Sequence, residues 1–150
     1  MKVYDCFIFY NEFELLELRL QSLYDVVDYF VIVESTTTHN KEPKKLNFAE
    51  NKDRYKQYAD KIRHIVLNGE LIPWRGVGDW SIENAQRNAI VGGLQDAQPD
   101  DLIFISDLDE IPAPDVLMRL QQNQLALLML HNMHVNVNPY RHAAPPPRIC

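Results

Sequence analysis

The chain has 150 residues, 46% of them hydrophobic, which is enough for one domain with a sizeable core. A formal net charge of −6 argues against a basic surface of the kind that holds nucleic acid. Its two cysteines, Cys6 in an apolar run and Cys150 at the end, supply no disulfide framework, and no apolar stretch is long enough for a signal peptide or a membrane span, so a reducing, cytoplasmic location is the expectation.

In chain order, Val3 to Phe9 reads as a strand ending at Tyr10-Asn11-Glu12. Phe13, Leu16, Leu20, Leu23 and Val27 are spaced as one apolar face of a helix. Tyr29 to Val33 is a second buried-type strand, closed by Glu34-Ser35, and Thr36 to Lys45 is a polar loop containing Pro43. Asn51 to Lys61 predicts a charged helix, and Ile62 to Leu67 a third strand. Pro73, Gly76 and Gly78 mark a second loop. Ser81 to Ala97 then reads as a helix capped by Asp79 or Ser81, with Pro99 beyond it. Leu102 to Ile105 is the central strand, and after Pro114 a short helix runs from Asp115 to about Gln122. The alternation of strand and helix calls for an α/β fold with a mainly parallel sheet. Leu125 to Leu130 suits a further strand, and residues 143–150, with three consecutive prolines, a frayed tail. A single domain over residues 1–142 is the expectation.

The most informative stretch follows the strand at Leu102 to Ile105. Three carboxylates, Asp107, Asp109 and Glu110, stand within four residues, and Pro112 and Pro114 stop the strand from continuing. Acidic groups at the carboxyl end of a buried parallel strand sit where open α/β sheets bind ligands. Asp107 and Asp109 are the expected metal ligands, because a hard divalent cation on a diphosphate takes few protein oxygens and completes its shell with phosphate and water. The competing reading is an acidic, solvated turn. Other strand-end residues add to the pattern. Asn11 and Glu12 follow the first strand, and Glu34 stands where an acid can accept a ribose hydroxyl or a base N–H. Arg87 and Asn88 lie on the helix leading into the acidic strand, where an Arg fork suits a phosphate, although Glu83 and Arg87 also have the spacing of a surface pair. His131 and His134 form only a weak metal pair, since a strand there would point them to opposite faces.

Six pieces now stand in one order: Tyr4-Asp5-Cys6-Phe7-Ile8-Phe9-x-Asn11-Glu12, Leu18-Arg19-Leu20, Val33-Glu34-Ser35, the Thr38 to Phe48 loop with Pro43-Lys44, Trp80-x-x-Glu83-x-x-Gln86-Arg87-Asn88, and Asp107-Leu108-Asp109-Glu110-Ile111-Pro112. Together they resemble glycosyltransferase family 17, from about Lys2 to Pro114. The resemblance implies a GT-A-like nucleotide-sugar-binding fold, UDP-N-acetylglucosamine as donor, a glycan acceptor, a Mn²⁺ or Mg²⁺ cofactor held by Asp107 and Asp109, and inversion at the anomeric carbon. It also implies a donor-binding set of Asn11, Glu12, Glu34, Lys44, Arg87, Asn88 and Asp107. No general base is identified; Glu110 is nearest in sequence and a weak candidate, and the role of an exposed or capping acid suits it better. Family members continue well past their acidic motif, so a C-terminally truncated chain is expected. That leaves an active enzyme, a donor-binding remnant, and a sugar nucleotidyltransferase as the competing classes. Against the last, no glycine-rich basic loop for a triphosphate follows the first strand.

Overall fold

The computed structural model describes residues 1–122. The expected strand at Leu125 to Leu130, the pair His131 and His134, and the 143–150 tail lie outside them. Four strands, β1 (Val3–Ile8), β2 (Tyr29–Ser35), β3 (Ile62–Leu67) and β4 (Leu102–Ile105), form one sheet in the order β3-β2-β1-β4. Every pairing is parallel. The helices are α1 (Phe13–Leu23), α2 (Asn47–Asn51), α3 (Ser81–Ala89) and α4 (Pro114–Gln121). This is an α/β fold, and its strand order is that of a Rossmann-like half. Among the described residues β4 is an edge strand rather than the central one, and β1 and β2 occupy the centre. Ile103 and Phe104 of β4 are nevertheless buried on opposite faces.

Side-chain alternation divides β1 between two cores. Val3, Phe7 and the following Phe9 pack with Leu16, Leu20 and Leu23 of α1, and with Phe48, Tyr55 and Tyr58. Tyr4 and Cys6 face the other way, toward Val31, Val33, Ile90 and Ile103. Cys6 is a fully buried free thiol whose pKa burial pushes well up, which makes it an inert core residue.

Three helices are shorter than the sequence predicts: α1 ends at Leu23, and Val27 joins the core from the chain beyond it. The stretch expected as one helix from Asn51 to Lys61 is the end of α2 followed by a 3-10 helix over Lys52–Tyr58, broken by the non-helical backbone of Tyr55. Tyr55 turns inward, stacks on Phe48, and donates its hydroxyl hydrogen to the Phe13 carbonyl at 3.0 Å, so tertiary packing overrides helix propensity. Likewise α3 stops at Ala89 and tightens into a 3-10 turn over Ile90–Gly93. There the chain presses onto β2 so closely that a Cβ on Gly93 would lie 2.5 Å from Val31 Cγ1.

Candidate functional site

In a parallel sheet of this order the crevice opens at the carboxyl ends, between β1 and β4, where successive connections leave in opposite directions. A cleft of about 530 Å³ lies there. Ile8 at the end of β1 and Phe9, Tyr10 and Glu12 beyond it, Asp107 to Asp109 after β4, and Glu83, Gln86 and Arg87 of α3 form its walls. The polar loop after β2 closes one side through Thr37, Thr38, His39, Asn40, Glu42 and Lys44. That loop is a small hairpin, with a bridge between Thr37 and Pro43 and a hydrogen bond from Thr38 N to the Glu42 carbonyl. Lys41 sits at its tip in the left-handed region, φ 68°. Its ammonium donates to the carbonyls of Gly69 and Glu70 at 2.8 Å, and also to that of Ile72, which fixes the hairpin to the segment after β3.

The acidic turn is built from below. Asp5 in β1 and Arg19 in α1 are both wholly buried and form a two-pronged pair, Nε–Oδ2 2.8 Å and Nη2–Oδ1 2.7 Å. The Arg19 guanidinium lies 4.6 Å from the Phe7 ring centroid. Its outer edge donates to the carbonyls of Asp107 at 2.7 Å, Leu108 at 3.0 Å and Glu110 at 3.4 Å, and to Ser106 Oγ at 2.7 Å. Arg19 shares the buried stripe of α1 with Leu16, Leu20 and Leu23, and Asp5 faces that stripe between Val3 and Phe7. A charge in each of two matched apolar stripes is the sequence signal that identifies this pair.

With the backbone of the turn drawn inward, Leu108 is buried while Asp107 and Asp109 are exposed to the cleft. Arg87 Nη2 donates to Asp107 Oδ1 at 2.7 Å and to Glu83 Oε1 at 3.2 Å, so it joins the surface pair and the acidic turn at once. Asp109 carries no hydrogen bond or ion pair among the described residues. Glu110 is committed elsewhere: its Oε2 accepts from Asp107 N at 3.2 Å, and it does not line the cleft.

The remaining expected residues divide. Glu12 lines the cleft and accepts from Asn11 N at 3.0 Å. Lys44 lines it as well, 5.4 Å from the Tyr10 ring centroid and 3.8 Å from Glu34 Oε1; burial lowers its pKa, against the pull of Glu34 and Glu12. Asn11 and Asn88 are exposed but do not form the cleft wall. Glu34 stands at the same end of the sheet, but it is completely buried behind the wall. Its oxygens accept from Phe48 N at 2.8 Å and Ala49 N at 3.3 Å, first-turn amides of α2 that have no acceptor within the helix, and lie 3.1 Å from His64 Nε2. In this arrangement Glu34 caps a helix rather than facing a ligand. Gln86, Thr37, Thr38, His39 and Glu42 are cleft residues that were not expected. Only the polarity of the hairpin and the Gln86-Arg87 motif signalled them.

No group of three or more His, Cys, Asp or Glu side chains among the described residues makes a ready-formed metal cage. The donor set at the turn, two carboxylates of which one is unpaired, fits a hard cation that shares its shell with phosphate and water.

Fold and cleft together define an α/β protein of Rossmann-like order with an acidic cleft at its strand switch. The chain belongs to glycosyltransferase family 17, whose family model matches residues 1–143. It is 33% identical over 117 residues to the human "Beta-1,4-mannosyl-glycoprotein 4-beta-N-acetylglucosaminyltransferase", and 33% and 32% identical to the proteins of the same name from Rattus norvegicus and Mus musculus. The aligned stretch is 74% of this chain and 22% of each relative, so the chain matches about a fifth of those proteins' length. No solved structure matches it. Among the described residues no helix is long and apolar enough to cross a membrane.

Proposed function

We propose that this chain is the donor-binding part of a GT-A-like, cation-dependent, inverting glycosyltransferase that moves N-acetylglucosamine from UDP-N-acetylglucosamine to a glycan acceptor. One observation carries the reading: Arg87, Asp107 and Asp109 converge on a single cleft at the β1–β4 switch, with Arg87 bonded to Asp107. Family membership supports the reaction class, and the names of the relatives support N-acetylglucosamine as the transferred sugar and a mannosyl glycoprotein as the acceptor type.

In this scheme Asp107 and Asp109 would hold a Mn²⁺ or Mg²⁺ ion, which would supply positive charge to the departing diphosphate. Arg87 adds a second cation, and its planar fork suits paired phosphate oxygens. Lys44 contributes positive charge on the opposite wall, and Glu12 and the hairpin polar groups bound the space for the nucleotide and sugar. Inversion is one displacement: the acceptor oxygen bonds to the anomeric carbon and gives its proton to a base as the bond from that carbon to the diphosphate oxygen breaks and UDP leaves. The wall offers Glu12, Glu42 and Glu83 as further carboxylates, and none is assigned that task.

The test has two stages. Thermal melts with Mn²⁺, UDP, and both together are expected to show a joint shift larger than the sum of the separate ones. Incubation with UDP-N-acetylglucosamine, with and without a mannosyl glycoprotein, then reads hydrolysis and transfer. No joint shift would sink the proposal. A joint shift without transfer would favour a second reading, a nucleotide-sugar-binding unit that does not transfer.

A further inference from the structure

We infer that Arg19 is a positioning residue for the acidic turn, and that its guanidinium sets where the Asp107 and Asp109 carboxylates stand in the cleft. The inference rests on the reading of that cleft as a cation-assisted nucleotide-sugar site.

Stability alone does not call for an arginine here. A buried ion pair is commonly matched or bettered by apolar residues of similar volume, and the neighbouring positions of the α1 stripe are leucines. What a leucine could not do is bind both neighbours of the guanidinium. Asp5 takes Nε and one Nη2 hydrogen, which fixes the plane of the group. All the other bonds of Arg19 go to one five-residue turn, Ser106 to Glu110. Three carbonyls drawn to one point bend that backbone inward. Leu108 is carried beneath, and the side chains on either side of it, Asp107 and Asp109, are left facing the cleft. Ser106 reinforces the arrangement, since its hydroxyl oxygen accepts from Arg19 and lies 3.2 Å from the Glu110 carbonyl and 3.3 Å from that of Asp107. Arg19 touches no ligand site itself. It acts through the turn.

The test uses the full chain and calorimetric titration of UDP with and without Mn²⁺. In Arg19→Lys the ammonium still reaches Asp5, but a single point cannot hold Asp5 and three carbonyls together. The Mn²⁺-dependent gain in UDP affinity is expected to fall at least about tenfold, while UDP affinity without metal changes less than about twofold. Leu20→Ala, a cavity in the same helix, is the control: it should lower the melting temperature and leave the Mn²⁺-dependent gain intact. Ser106→Ala, which spares the Asp5–Arg19 pair, should reduce the gain by about threefold, the loss of one hydrogen bond, and decides the matter if Arg19→Lys does not fold. Equal gains in wild type and in the variants that fold would overturn the inference. So would an equal loss in Leu20→Ala, because the effect would then be one of stability. A wild type with no Mn²⁺-dependent gain would overturn the reading of the cleft instead.

Discussion

Glu34, at the end of β2, and the pair Asp107 and Asp109, just past the end of β4, occupy equivalent places at the carboxyl edge of the sheet. Glu34 is turned inward and spends both oxygens on the start of α2 and on His64, with Lys44 nearby. The aspartates are turned outward, and it is the backbone of their turn, at Asp107, Leu108 and Glu110, that is tied down from within by Arg19. A carboxylate at a strand end is therefore structural or available according to what stands behind it. Free helix amides pull Glu34 in. A buried guanidinium pulls the carbonyls of the acidic turn in and leaves its carboxylates out.

The comparison is broken most severely from below. Asp5→Ala removes the partner that orients Arg19 and leaves a buried cation without its counter-charge, and is expected to lower unfolding free energy by about 3–5 kcal/mol in urea titration. A loss under about 1 kcal/mol would show that Arg19 does not depend on Asp5.

Glu34→Ala sharpens the structural side. It exposes two unsatisfied amides of α2 in a buried setting, and about 2–3 kcal/mol of stability should go with them. The UDP affinity of the folded protein should stay within about twofold by calorimetry, since Glu34 lies behind the wall; a much larger drop would return Glu34 to the ligand side.

Asp109→Asn sharpens the other side. Its shape is kept but a charge and a strong oxygen ligand are lost, so the Mn²⁺-dependent part of UDP affinity should vanish. The melting temperature without metal should hold or rise, because one of two neighbouring like charges is gone. An equal Mn²⁺–UDP shift in wild type and mutant melts would move the cation away from Asp109.

Arg87→Lys carries the smallest expected effect. The bond to Asp107 can be kept by an ammonium, but the fork cannot, and UDP affinity should fall about three- to tenfold in calorimetric titration. Unchanged affinity would leave Arg87 as a link between Glu83 and Asp107 only.

Much of this was legible in the sequence, and the gaps have physical causes. The apolar runs and their alternation with helices predicted four strands close to their observed limits: β1, β2 and β4 are buried on both faces and leave a continuous apolar run, and β3, only partly buried, was still marked by Ile62, Ile65, Val66 and Leu67. The sheet order is set by pairings between residues about a hundred apart, so the edge position of β4 left no such trace. Asp107, Asp109, Arg87, Glu12 and Lys44 were expected at one place and line one cleft. Glu34 was placed at the correct end of the sheet, but its inward turn depends on where α2 begins, and α2 begins four residues earlier than the predicted helix. Arg19 and Asp5 were quoted only as parts of a family pattern. Their role required knowing that the two stripes face each other, although a charged residue inside each stripe was visible from the start.

The link between Arg19 and the acidic turn also has a history in the ribosome. The guanidinium and its carbonyl partners are separated by 88 to 91 residues of chain. At roughly 5–20 residues per second, the delay between the synthesis of α1 and that of the turn is on the order of 5–20 s. Asp5 is made before Arg19, so the ion pair has both members early, while four of the arginine's six acceptor atoms do not yet exist. The nascent β1–α1–β2 segment thus carries a charge that water must serve until β4 is made. Completion of the cleft is timed by the last residues to arrive, not by the first to fold.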